Sequence, residues 1–93
     1  MDTPSLDPIS TMERYDTLVK FHEDISFMLR EKELQYGRDG GFHETNTDNY
    51  DHAVGETILK LKEFGRTGNR RMLVKAATWL YLIYEREVRL GPK

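Results

Sequence analysis

The chain has no cysteine, so neither a disulfide nor a thiolate metal site can contribute to its stability or chemistry. Proline is scarce: Pro4, Pro8 and Pro92 sit near the two ends, and everything between Pro8 and Pro92 is free of the strongest helix breaker. No run approaches the roughly 18 apolar residues of a membrane-spanning helix, and the N-terminus lacks the apolar region of a secretory signal. The expectation is a soluble, cytoplasmic protein without a membrane partner. Charge of one sign does not dominate either, with 14 Lys and Arg against 16 Asp and Glu. An acidic balance with no legible recognition motif argues against nucleic acid as a partner.

What is present is helical. Ninety-three residues suffice for one modest core. The stretch 69–89, NRRMLVKAATWLYLIYEREVR, holds the longest apolar run and predicts a central helix with Asn69 as N-cap. Leu73, Ala76, Leu80 and Ile83 share one face of its wheel, with Ala77, Tyr81, Tyr84 and Val88 beside them. A narrow polar stripe follows Arg71, Lys75, Thr78, Glu85 and Arg89. Such breadth of apolar surface calls for neighbouring helices or a second subunit.

Two further helices precede it. Ser10 and Glu13 have capping-box spacing and open a helix over 11–36, ended by Gly37. Its inward residues are expected to be Tyr15, Leu18, Val19, His22, Ile25, Leu29 and Tyr36, widened by Phe21 and Met28. Residues 38–47 lose periodicity and read as a long loop. A second helix is expected over 50–64, capped by Thr47, Asp48 or Asn49, with Tyr50, Ala53 or Val54, Ile58, Leu61 and Phe64 on its apolar face. A tight turn at 65–68 leads into the central helix. The fold class is therefore all-α: a flexible arm over 1–10, then one three-helix domain over 11–93, completed into a larger bundle by dimerisation through Leu80, Leu82, Ile83 and Tyr84. Trp79 belongs to the same aromatic and aliphatic set and reads as packing or interface rather than base stacking.

Charge is distributed unevenly along the chain. Residues 1–59 carry five Lys or Arg against 13 Asp or Glu, whereas residues 60–93 carry nine against three. The simpler reading is that the halves fold together and neutralise each other; a strongly charged partner is the other. Around the 65–68 turn stand Lys60, Lys62, Arg66, Arg70, Arg71 and Lys75. With the amides of the third helix's N-terminus, Arg66, Arg70, Arg71 and Lys75 could hold a phosphate, although a solvated charged turn is the commoner use of such residues. Asp48, His52 and Glu56 share a helical stripe that could help hold a divalent cation, with Asp51 beside it; acids at a helix N-terminus also favour the dipole without any metal. His22 reads as a core histidine, and His43 lies in the loop. Nucleophilic catalysis has no support in these residue types.

Three segments together, REKELQYG (30–37), AVGETILKLKEF (53–64) and LVKAATWLYLIYERE (73–87), resemble the small MazG-like, all-α nucleoside triphosphate pyrophosphohydrolases common in phages and bacteria. The resemblance implies a helical bundle assembled as a dimer or tetramer, with Mg²⁺ held by carboxylates on facing helices. Of those acids Glu56 is retained, Leu59 or Lys60 stands where the next belongs, and Glu63 lies two turns on. The third-helix positions are Arg71, Met72, Val74 and Lys75, none acidic. The resemblance therefore implies a degenerate metal site, with Glu56 paired to Arg71 or Lys75 in place of the ion. It leaves a phosphate- or nucleotide-binding or regulatory protein as the leading expectation. A small protein-interaction module, adaptor or inhibitor, is the second. An active enzyme using Mg²⁺ on Glu56, Glu63 and Glu31 or Glu33 is the third.

Overall fold

The computed structural model describes residues 9–37 and 50–90. Within them lie three helices, α1 (Thr11–Tyr36), α2 (Asp51–Thr67) and α3 (Arg71–Leu90); no described residue is in a strand. The domain is all-α, as its sequence predicts. The N-terminal arm through residue 8, the 38–47 loop with His43, and the expected caps Thr47, Asp48 and Asn49 lie outside the described residues.

Each helix end has a local cause. The Ser10 side chain accepts from the Glu13 amide at 3.1 Å, satisfying one of the orphan donors of α1's first turn. At the other end Gly37 adopts φ 89° and donates its N–H to the Glu33 carbonyl. Helix α2 is entered through Tyr50 at φ 55°, with no side-chain cap, so the helix begins one residue later than its pattern suggests. It also runs further. Gly65, Arg66 and Thr67 continue the helix, and the left-handed residue that a stop requires is Gly68, at φ 70°. A single interior glycine costs only about 1 kcal/mol in a helix, too little to end one on its own. Asn69 then caps α3, its Oδ1 accepting from the Arg71 amide at 3.0 Å.

The short connection folds α2 back along α3 as an antiparallel hairpin. At its heart Ala53 is fully enclosed and Trp79 is 8% exposed, with Tyr50, Leu82 and Ile83 packed around them. The buried stripe of α3 runs Met72, Ala76, Trp79 and on to Ile83, spaced four, three and four apart. This is a rotation from the expected Leu73, Ala76, Leu80 and Ile83 face: Leu80 is 54% exposed. Thr78, read as part of the polar stripe, is instead fully buried. Its hydroxyl donates to the Val74 carbonyl at 2.7 Å, which removes the penalty of enclosing it.

Helix α1 lies against α3 but commits little of itself. Met28 is its one buried residue among those described, and Ile25 and Leu29 are half-buried. Tyr15, Leu18, Val19, Phe21, His22 and Tyr36, expected inside, are exposed; His22 is therefore not a core histidine. Length explains part of the difference. Twenty-six residues span roughly 39 Å, about 9 Å more than the twenty of α3, and a groove lined by Thr17, Phe21, Phe27, Leu73 and Val74 stays open between the two helices. The Cα radius of gyration, 15.5 Å, exceeds the roughly 12 Å of a compact domain of this length.

Because Ala53 is enclosed against Trp79, the Ala53→Leu substitution should lower stability by about 1–3 kcal/mol, read as a lower urea midpoint. An unchanged midpoint would show that this contact does not hold the hairpin closed.

Candidate functional site: a cationic cleft between three helices

A polar cleft of about 280 Å³ opens where the three helices meet. Helix α1 supplies Glu31, Lys32 and Gln35; α2 supplies Glu56 and Lys60; α3 supplies Arg71, Lys75 and, at the floor, Trp79. The positions follow from helical spacing. Lys32 and Gln35 lie four and seven residues beyond Met28 and so extend its inward stripe. Glu56 and Lys60 stand one turn apart on α2, as do Arg71 and Lys75 on α3.

Four cations therefore face two carboxylates. Lys60 Nζ lies 3.6 Å from Glu56 within α2, and Arg71 reaches across to Glu31 at 4.0 Å. These pairings differ from the expected Glu56 pair with Arg71 or Lys75. A partner one turn away on the same helix is simply nearer for Glu56, which leaves Arg71 to join α3 to α1. The Arg71–Glu31 contact is also a direct link between the basic and the acidic halves of the chain.

Lys32 and Lys75 carry the excess positive charge. Lys32 Nζ sits 5.1 Å from the centroid of the Trp79 ring, a favourable cation–π distance. Its ammonium is nevertheless pushed below the usual lysine value, first by burial and then by the neighbouring charge of Lys75, with Lys60 adding to it and Glu56 opposing it. Trp79 is contacted on its other flank by His52, with ring centroids 5.3 Å apart and planes at 76°. His52 thus packs edge-on to the indole, outside the cleft lining.

Of the residues singled out from the sequence, Glu31, Glu56, Lys60, Arg71, Lys75 and Trp79 share the cleft. Arg70 lines a second, more apolar groove between α1 and α3, beside Phe21, Phe27, Leu73 and Val74. Arg66, Glu63 and Glu33 line neither. Met72 is buried in the hairpin, so the α3 positions that face the cleft are Arg71 and Lys75. Lys32 and Gln35 escaped the sequence reading, although a lysine continuing the Ile25 and Met28 stripe was a signal for them. Of the expected interface set, Trp79, Leu82 and Ile83 pack within the chain, whereas Leu80 and Tyr84 are 54% and 67% exposed.

The donor set does not fit a hard divalent cation. Such an ion needs about six oxygen ligands and several acids, yet among the described residues the cleft offers two carboxylates opposed by four cations. Among the described residues no group of three or more His, Cys, Asp or Glu is placed to hold a metal. No described helix is long and apolar enough to cross a membrane. The fold and cleft thus define an all-α domain with a cationic site at a three-helix junction. No protein-family model, curated protein or solved structure matches the chain.

The Glu56→Gln substitution removes the Lys60 pair and the charge that supports protonated Lys32. Lys32 has a folded pKa below its unfolded value of 10.5, so its charge opposes folding in full below the folded value. Stability contributed by this group rises as pH increases through the window up to 10.5. The variant should lose about 0.5–1 kcal/mol near pH 7. That deficit should shrink on titration toward 10.5, as followed by urea denaturation at stepped pH.

Proposed function

We propose that this chain is a non-catalytic, phosphate-binding relative of the MazG-like proteins, in which cations occupy the junction where those enzymes hold acids. The observation that carries the reading is the cleft itself. Four cations from three helices surround two carboxylates, and Lys32 is held there despite burial and a lysine neighbour that both disfavour its charge. An entering phosphate relieves that repulsion and gains charge-assisted hydrogen bonds from Arg71 and the lysines. Phosphate groups of a nucleotide are the ligand this chemistry fits, with binding serving a regulatory rather than a hydrolytic role. Against the enzymatic alternative, Glu63 and Glu33 do not line the cleft with Glu56 and Glu31, which leaves too few acids among the described residues to bring Mg²⁺ to a triphosphate.

Nucleoside triphosphates should raise the thermal midpoint by mass action, without Mn²⁺, and Lys75→Glu should abolish the shift. A shift that requires Mn²⁺ would instead revive the enzyme, and pyrophosphate release would then be assayed. The proposed descent has its own test. Arg71→Glu with Lys75→Asp would place four carboxylates around the cleft, together with Glu31 and Glu56, and should create a Mn²⁺-dependent rise in midpoint. A double variant that folds and gains no metal affinity argues against an ancestral metal site.

A second reading, self-association or docking on another protein, is favoured by a separate observation. Val54, Ile58 and Leu61 form an exposed apolar stripe on α2, and Leu80, Tyr84 and Val88 form another on α3. Stripes of this kind are what a bundle buries on dimerisation. Leu80→Glu with Tyr84→Glu should shift a dimer to monomer in sedimentation analysis. A native chain that sediments as a monomer at all concentrations removes self-association.

A further inference from the structure

Among the described residues Trp79 is the one aromatic side chain lining the cleft, and it is already engaged. The Lys32 ammonium stands over its ring, His52 abuts its flank, and the indole is 8% exposed within the Ala53 core. Base recognition by stacking needs an open aromatic face, and this ring offers none. Uncharged polar groups that read base edges are also scarce, since among the described residues Gln35 is the lone side-chain amide in the lining. The cleft, at about 280 Å³, falls below the roughly 300–1,000 Å³ of sites that enclose whole drug-sized ligands. It suits several linked anionic groups rather than a complete nucleotide. The cations are also spread around it: Lys32 on α1, Lys60 on α2, and Arg71 and Lys75 one turn, roughly 6 Å, apart on α3.

We infer that the ligand is a condensed phosphate, held by its phosphate chain alone and without a metal, so that any attached sugar and base lie outside the cleft and are not discriminated. This rests on the phosphate-binding reading above and narrows it. Arg71 offers a planar fork to one phosphoryl group while the three lysines act as point charges along the chain. Lys32 stays over the Trp79 face, and its ammonium, disfavoured in the free cleft by burial and Lys75, is compensated by the anion. Glu31 and Glu56 limit the affinity for a single phosphate, because a lone group must compete with both carboxylates for the same cations.

Trp79 is the chain's sole tryptophan, so its emission reports the cleft directly. Inorganic tripolyphosphate, pyrophosphate, orthophosphate, adenosine, and ATP, GTP, CTP and UTP would be titrated in EDTA while that emission is followed. Tripolyphosphate and all four triphosphates should bind within about 3-fold of one another, orthophosphate at least about 10-fold more weakly, and adenosine not at all. Lys75→Gln, shown by circular dichroism to be folded, should weaken tripolyphosphate by about 10-fold or more. Triphosphates that bind in EDTA but differ more than about 10-fold by base, or that tripolyphosphate cannot displace, overturn base indifference and leave the phosphate-binding reading standing. Unaltered affinity in Lys75→Gln places the anion elsewhere and overturns both. Failure of every condensed phosphate to bind the native chain overturns both as well.

Discussion

The contact between Trp79 and Ala53 is where the helical hairpin and the polar cleft meet. A methyl side chain on α2 lets the large indole of α3 close the hairpin, and Leu82, Ile83 and Tyr50 fill in around it. The same indole forms the floor of the cleft and supports the Lys32 ammonium from below. One ring therefore serves apolar packing on one side and electrostatics on the other, as aromatic side chains with a polarised face are able to do. The position of α1 follows from it too, because Lys32 approaches Trp79 while Met28 packs one turn earlier.

The cleft concentrates charge that the rest of the fold does not cancel. Glu56 is answered within its own helix by Lys60, and Glu31 by Arg71. That leaves Lys32 and Lys75 as neighbours in partly desolvated surroundings. A fold selected for stability alone has little reason to place two ammonium groups side by side with one of them over a buried ring, since either one as a neutral side chain would relieve the repulsion. Such unrelieved charge in a concave site is the physical basis for assigning a binding role.

Much of the architecture was legible in the sequence, for identifiable reasons. Ser10, Gly37, Gly68 and Asn69 terminate or start helices through their own side chains or their freedom at positive φ, which are local properties. The facing of the helices was less legible. On α3 almost every position is apolar, so a wheel cannot decide between Leu80 and Trp79 as the inward residue; the short Ala53 opposite decides it, and that is a tertiary fact. On α1 the periodic stripe from Tyr15 to Val19 stays exposed, and periodicity does not say how closely a neighbour packs. Of the cleft residues, Glu56 was legible through the family pattern, and Arg71 and Lys75 through the cluster of cations around the 65–68 turn. Lys32 was missed because the inward stripe of α1 was traced without charged residues, although it continues the Met28 stripe.

The slight commitment of α1 has a consequence for how the molecule opens. The α2–α3 hairpin is closed by contacts near in sequence and contains nearly all the buried side chains, whereas α1 contributes Met28 and the cleft-facing Glu31, Lys32 and Gln35. Partial opening follows the weakest seam, which here is the one between α1 and the hairpin, and it runs through the cleft. A ligand that bridged Lys32 to Lys60 and Lys75 would act as a clasp across that seam. Its occupancy would then set the fraction of time α1 is latched, and with it the lifetime of the closed three-helix form.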